Sequence, residues 1–531
     1  MYNPLIALAV AVVFLSISLS YFKILNFHTG PMACNGILFV SNASRAYNLS
    51  LKSIRYVKDV LYINYFGKKE NSISVLSKQI EDIYSKVAVQ RPNLDVRFML
   101  KAITEQEIKT SHNVDLLLFD MDLSCKMDTL RTKINKKHIK TQCVESEDNV
   151  ESVIDEQDVN SYDCVVLGGT FDRLHNGHKI LLSQSVLRAK KHVTVGVTDV
   201  NMIKSKTLWE LIQPIEERIA AVYDFLTDID PDLEYNVVPI SDMYGPTKDD
   251  PRLQLLVLSE ETARAAGKIN DKRKENGLKE LEVFTIGLAK DERKAAEEEA
   301  KLSSSNQRMR LLGTFLRPPQ ANPNIPDWPY VIGLAGGIAS GKSSIIDKLK
   351  LKGAATINCD TIAHDLYRPG LTLNRTLADT FGDEIITSSG EVDRSRLGQI
   401  VFSDKNQLET LNKIVWPAVI NEAKNRIRAL GEQGHRVVVM EAAVMVRAKW
   451  YEYCHQLWSV IIPPEEAVRR LQERNGLTEE QARQRIAAQP TNQEQVAIAN
   501  VVFSPYWSYE HTQAQIDRVW TELERYLSDR H

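Results

Sequence analysis

Tyr330-Val-Ile-Gly-Leu-Ala-Gly-Gly-Ile-Ala-Ser-Gly-Lys-Ser-Ser-Ile-Ile-Asp-Lys-Leu-Lys350 sets an apolar run, a glycine-rich turn and a mixed apolar and charged run end to end. The run Tyr330 to Leu334 predicts a strand, and Ser344 to Lys350 predicts a helix. Between them, Gly336 to Ser343 spells a complete G-x-x-x-x-G-K-S loop. A strand that turns through glycines into a helix presents backbone N–H groups to phosphate, and it belongs to a parallel α/β sheet. The amides of Gly336, Gly337, Ile338, Ala339, Ser340 and Gly341 would cradle the phosphates of ATP. Lys342 would reach the β and γ oxygens, and Ser343 would ligate Mg2+. A glycine loop without a ligand is the bland alternative, and the flanking strand and helix oppose it.

More chemistry follows downstream in order. The short strand Ala354 to Asn358 runs into Cys359-Asp360-Thr361-Ile362-Ala363-His364. A carboxylate near the γ-phosphate can take a proton from an attacking hydroxyl, so Asp360 is the candidate base; a helix N-cap is its other reading. Gly390-Glu-Val-Asp-Arg394 precedes Leu397, Val401 and Phe402, and Arg436 to Met440 predicts a buried strand ending at Glu441. These segments resemble the dephospho-coenzyme A kinases, and Arg470 to Gln489 resembles that family's arginine-bearing lid, with Arg474 the expected phosphate-stabilising residue. Trp416 before Pro417 and Ser504 after Phe503 depart from the bacterial pattern.

Asp163 to Gly168 is a second apolar strand that leads into Gly169-Thr170-Phe171-Asp172-Arg173-Leu174-His175-Asn176-Gly177-His178 and then a helical stretch. Two histidines three apart at a helix start can both donate to phosphate oxygens; a satisfied turn pair or a metal pair is the alternative. The motif resembles the HIGH-type nucleotidyltransferases. Ile240 to Thr247, Ser259 to Thr262, Asn270 and Arg273 narrow the resemblance to the eukaryotic and archaeal phosphopantetheine adenylyltransferases. Leu281 to Leu288 predicts a strand, Lys290 to Lys301 a charged helix, and Ser303 to Arg308 resembles the family's S-[ST]-x-x-R motif. The resemblance implies that Gly169, Thr170, Phe171, His175 and His178, with Ser304, Ser305 and Arg308, hold ATP, and that His178 stabilises the transition state. It also implies an acceptor-phosphate lysine, Lys204 or Lys206. Ser259-Glu-Glu-Thr262 stands where bacterial enzymes carry an arginine-rich acceptor motif, so the other acceptor contacts stay open.

Together the two resemblances imply adenylyl transfer from ATP to 4′-phosphopantetheine, then phosphorylation of dephospho-coenzyme A by a second ATP with Mg2+. A pyridine-nucleotide salvage enzyme and a membrane-tethered scaffold with decayed sites are the competing readings. The expected fold is α/β: a Rossmann-like nucleotidyltransferase domain and a P-loop kinase domain, both on parallel sheets, behind a small α/β domain and an apolar helix.

Length and punctuation agree with several domains, since 531 residues at about 150 per domain allow three or four. The division reads as a leader (1–30), an N-terminal α/β domain of unassigned role (31–143), an acidic linker (144–161), the adenylyltransferase-type domain (162–317), a Pro-rich linker (318–329) and the kinase-type domain (330–531). In the N-terminal domain Asp120 and Asp122 form a D-x-D pair, which reads as a turn before it reads as a metal site. Sixty-six basic against 69 acidic residues give a net charge of −3, so no global field favours nucleic acid. The six cysteines lack a C-x-x-C pair, which argues against a zinc ribbon and for a reducing compartment.

Residues 4–22 are apolar and uncharged, long enough for one span of roughly 20 residues. With Lys23 after the run and no basic residue before it, the stretch reads as a signal-anchor with cytosolic catalytic domains, on the mitochondrial outer membrane or another membrane. A cleaved signal and a second start at Met32 are the alternatives. The sequons at Asn42 and Asn48 are then chance matches.

Overall fold

A computed structural model describes residues 32–66, 72–101, 107–145 and 160–529; the leader and most of the acidic linker lie outside the described residues. Among the described residues three five-stranded sheets form, and all their ladders are parallel. All three α/β domains expected from the sequence are therefore present. Among the described residues no helix is long and apolar enough to cross a membrane.

The first sheet contains β1 (Ala33–Val40), β2 (Val57–Tyr65), β3 (Asp95–Phe98), β4 (Leu116–Asp120) and β5 (Lys140–Val144), in the order β3-β2-β1-β4-β5. Helix α1 (Ile73–Gln90) starts at Ser72, whose side chain accepts from the Val75 N–H as an N-cap. The second sheet contains β6 (Tyr162–Gly169), β7 (Ala189–Thr198), β8 (Glu234–Ile240), β9 (Leu255–Ser259) and β10 (Glu282–Ile286), ordered β10-β9-β6-β7-β8. Numbered within each sheet from its own first strand, the two orders are the same. Helices α2 (Asn176–Arg188) and α3 (Ile215–Ile229) belong to this second domain.

Helix α4 (Ser304–Leu311) precedes the third sheet, built from β11 (Tyr330–Gly336), β12 (Ala355–Asn358), β13 (Val437–Glu441), β14 (Gln456–Val460) and β15 (Val501–Phe503) in the order β12-β13-β11-β14-β15. Its helices include α5 (Lys342–Leu351), α6 (Cys359–Leu366), α7 (Lys405–Glu432), α8 (Pro464–Asn475), α9 (Glu479–Ala487), α10 (Asn492–Ile498) and α11 (Tyr509–Ser528). The central strands are apolar throughout because both faces are covered. Val331 and Ala335 join one hydrophobic cluster, and Tyr330, Ile332 and Leu334 join another. Burial of Val331, Ile332 and Leu334 contributes about 1.5–3 kcal/mol each relative to exposure.

The chain divides into two compact units. Of the described residues, the first holds those up to Met202 together with Pro214–Arg293, and the second holds Ile203–Gln213 and those from Lys294 onward. Within the second, Leu211 clusters with Leu312, Ile461, Val496, Ala499 and Val502, and Asn492 donates to Glu210 at 3.0 Å.

Lys290 to Lys301 is not a helix but a series of turns. Asn306 accepts from the Glu299 N–H and donates to the Glu299 and Lys301 carbonyls, and Arg310 pairs with Glu298 at 2.5 Å, so tertiary partners override helix propensity. The Pro-rich stretch forms no helix or strand, as its prolines require. It is nevertheless strapped down: Arg317 donates to the Val496 and Ala499 carbonyls at 2.9 and 2.6 Å, and Trp328 to the Gly431 carbonyl at 3.2 Å. Asp120 ends β4 and Asp122 lies in the 3-10 helix that follows rather than in a turn, and Ser41 and Arg45 bind both carboxylates.

Candidate active sites

In the third domain β11 ends at Gly336 and the chain turns through Gly337 to Gly341 into α5. Gly341 has φ +93, and a Cβ there would meet the Pro505 ring at 2.7 Å, so both backbone conformation and space require glycine. Lys342 Nζ donates to the Gly336 and Gly337 carbonyls at 2.8 and 3.2 Å, which holds the ammonium inside the loop. Burial pushes the Lys342 pKa down, opposed by the nearby carboxylates of Glu441 and Asp360.

Asp360 is not the cap of α6. Asn358 fills that role by accepting from the Asp360 and Thr361 N–H groups, which leaves the exposed Asp360 carboxylate available for chemistry. Beside it Glu441 ends β13, and β13 pairs with both β11 and β12. Asn358 Nδ2 donates to Glu441 Oε2 at 3.0 Å. Burial raises the Glu441 pKa, partly offset by Lys342 and reinforced by Asp360. The adjoining Cys359 thiol is pushed up to about 12, chiefly by burial, so it is an inert neighbour.

The lid arginine that touches the loop is Arg470 rather than Arg474. Arg470 donates to the Ala339 carbonyl at 3.3 Å and the Pro505 carbonyl at 2.8 Å, and pairs with Glu466 at 2.7 Å. Arg474 is exposed in the last turn of α8. Gln489 accepts from the Ile338 N–H at 2.7 Å. Glu441, Arg470 and Gln489 were therefore missed as loop partners, although each lies in a segment quoted for the resemblance; only the strand-end position of Glu441 gave a local signal.

In the second domain β6 ends at Gly169, and the loop to α2 carries two left-handed non-glycine residues, Phe171 (φ 50) and Arg173 (φ 47). Phe171 is fully buried and its ring lies 5.2 Å from that of His178. His175 is the N-cap residue of α2, and its ring stacks on His178 at 3.8 Å. Arg218, from α3, donates to the Thr170 carbonyl at 2.7 Å and the Thr198 carbonyl at 2.9 Å, and the Thr198 hydroxyl donates to that of Thr170 at 3.2 Å. Arg218 fixes the loop and carried no sequence signal. Arrayed this way, the loop amides and two half-buried imidazoles can bind phosphate at a helix start.

Lys204, Lys206, Ser304, Ser305 and Arg308 belong to the second compact unit. Ser303 caps α4 by accepting from the Asn306 N–H. Buried Arg308 donates to the Thr207 carbonyl at 2.8 Å and to the Ser305 hydroxyl at 3.4 Å, which brings it to the segment bearing the exposed Lys204 and Lys206. Two residues quoted for the family resemblance are structural: Arg273 donates to the Lys279, Thr247 and Asp250 carbonyls, and Asn270 bonds both backbone groups of Leu281.

Comparison with known proteins assigns both motif-bearing domains. Residues 330–506 match the dephospho-CoA kinase family model, and residues 166–310 match the cytidylyltransferase-like model. The dephospho-CoA kinase of Carboxydothermus hydrogenoformans is 39% identical over 186 residues, 35% of this chain and 90% of that protein. The enzyme of Arabidopsis thaliana is 33% identical over 198 residues, 37% of this chain and 85% of that protein. The chain belongs to the dephospho-CoA kinase family, with ATP and dephospho-CoA as substrates of that domain. A cytidylyltransferase-like domain ahead of the kinase is consistent with a bifunctional coenzyme A synthase.

Proposed function

We propose that the chain carries out the last two steps of coenzyme A assembly. At the first site a phosphate oxygen of 4′-phosphopantetheine attacks the α-phosphorus of ATP, the bond to pyrophosphate breaks, and dephospho-coenzyme A forms. The observation that carries this reading is the stacked His175 and His178 pair at the start of α2, beside a loop pinned by Arg218. These imidazoles can stabilise the charge that develops on the phosphoryl oxygens. The family resemblance would give Lys204 or Lys206 the acceptor phosphate and Ser304, Ser305 and Arg308 the nucleotide.

At the second site the ribose 3′-hydroxyl attacks the γ-phosphorus, its proton passes to Asp360, and ADP leaves. Lys342 neutralises the β and γ oxygens, and Arg470, with Arg474 in the last turn of α8, closes on the phosphates. The Ser343 hydroxyl and the Glu441 carboxylate are hard oxygen donors suited to Mg2+, which would neutralise phosphate charge there. Residues 4–22 would tether the enzyme to a membrane, leaving the catalytic domains cytosolic.

The test supplies purified protein with ATP and either 4′-phosphopantetheine or nicotinamide mononucleotide, and measures pyrophosphate. Turnover of phosphopantetheine alone is expected. Preference for the mononucleotide would assign the first site to pyridine-nucleotide salvage, and no pyrophosphate with either would remove the adenylyltransferase reading.

A further inference from the structure

The N-terminal domain has the strand order of the nucleotidyltransferase-like domain but not its phosphate loop. Where β6 runs into glycines and histidines, β1 runs into Ser41, and Ser41 and Arg45 close on Asp120 and Asp122. What the domain does present is a buried polar chain along β3, directed at the two helices that frame the first site.

The chain begins on α3. Asp228 there accepts from Arg97 Nη1 at 2.5 Å, from the Tyr62 hydroxyl at 2.8 Å and from the Ser111 N–H at 2.8 Å, and Asp224 accepts from Arg97 at 3.0 Å. Arg97 then donates through Nε to Asp95 Oδ2 at 3.0 Å. Asp95 pairs through its other oxygen with Lys179 of α2, and Lys179 also donates to the Val96 carbonyl at 3.2 Å. Arg97 is 6% exposed, Lys179 4% and Asp228 3%, so the chain is held in a low-dielectric interior. Burial alone would raise the Asp95 pKa, but the Lys179 and Arg97 cations outweigh it and keep the carboxylate ionised. His112, Asp224 and Asp228 offer ligand atoms within 4.8 Å of one another, yet Arg97 already spans both carboxylates.

Both helices carry site residues at their other ends or faces. His175 caps α2 without a side-chain cap hydrogen bond, and the next residue, Asn176, donates to the Tyr84 carbonyl of α1 at 2.8 Å. Ser77 of α1 and Gln184 of α2 bond in both directions at 3.0 and 3.3 Å. Arg218 on α3 holds the Thr170 carbonyl.

We propose that the N-terminal domain is a brace for the first site: Asp95 and Arg97 are positioning residues that lock α2 to α3 and so fix His178 relative to Thr170. This rests on the adenylyl-transfer reading above. Displacement of a reacting group by about 1 Å can cost a hundredfold in rate, so the lock has a kinetic effect larger than its effect on binding.

The test uses the full chain with Asp95→Asn, Arg97→Lys and the paired change Asp95→Asn/Lys179→Met, which removes the buried cation together with its partner. Arg45→Ala, which loosens the same domain away from the two helices, is the control. The expected result is a fall of about tenfold to a hundredfold in kcat for pyrophosphate release, with KM for ATP changed by less than about threefold. Kinase turnover in the same samples stays unchanged, and Asp95→Glu recovers part of kcat. NMR signals of 13C-labelled His175 and His178 shift in the Asp95 and Arg97 variants and not in Arg45→Ala. Unshifted histidine signals with unchanged kcat would overturn the brace, as would an equal loss of kcat in Arg45→Ala. If wild-type protein releases no pyrophosphate, the reaction assigned to the first site fails, and the histidine signals still decide whether the brace exists.

Discussion

Replacing Lys342 with Met keeps the length of the side chain and removes its charge. The ammonium is held inside the loop and half-buried, so its attraction for a β- or γ-phosphate oxygen at ~4 Å acts at an effective dielectric near 20 and is worth ~4 kcal/mol. Loss of a single preorganised donor elsewhere costs ~2.7–4 kcal/mol, or about a hundredfold to a thousandfold. A fall of that size in kcat/KM for ADP release with dephospho-CoA is therefore expected. Stability should hardly follow. The lost hydrogen bonds to the Gly336 and Gly337 carbonyls are worth ~0.5–1.5 kcal/mol each, and removal of a charge that burial disfavours offsets them. The melting temperature should stay within about 4 °C of wild type. A loss smaller than tenfold, or a loss that tracks with melting, would refute the placement of Lys342 against the transferred phosphoryl group.

Three further outcomes are expected. His178→Ala lowers pyrophosphate release by about a hundredfold or more by removing one transition-state donor, and leaves kinase turnover intact. Glu441 has a raised folded pKa, so its contribution to stability is complete below its ordinary value of 4.5 and is lost as pH rises through the raised value. Glu441→Gln should consequently melt higher than wild type at pH 7.5, with the difference shrinking towards pH 4, while ADP release slows; an equal gain at both pH values would count against the burial argument. Deletion of residues 1–31 should move the protein from the carbonate-resistant membrane pellet to the soluble fraction, with both activities retained.

The parts legible in the sequence are those in which local chemistry and function coincide. Gly341 is needed both for a left-handed turn and for phosphate access, so its motif reads directly. The Gly169 to His178 stretch reads from its residue pattern instead, because its left-handed residues are Phe171 and Arg173 rather than glycines. Contacts made at long range left no local mark: Arg470 reaches Ala339, Gln489 reaches Ile338 and Arg218 reaches Thr170, each across a loop that only the fold brings near. Lys290 to Lys301 carries strong helix formers, and the partners that undo the helix, Asn306 and Arg310, follow it in sequence on α4. Edge strand β5 has no apolar alternation, being half exposed, and was invisible for that reason.

The strap formed by Arg317 and Trp328, together with the inserted Ile203–Gln213 segment, bears on how the kinase and the proposed adenylyl transfer can be separated. A fragment beginning at Tyr330 would shed Arg317, which binds the Val496 and Ala499 carbonyls, and any fragment lacking Leu211 would bare an apolar patch around Ile461, Val496 and Val502. Such pieces would be prone to aggregate, so silent half-proteins would report poor solubility before they reported anything about catalysis. Inactivating each site by a point substitution within the intact chain is the sound way to assign the two reactions.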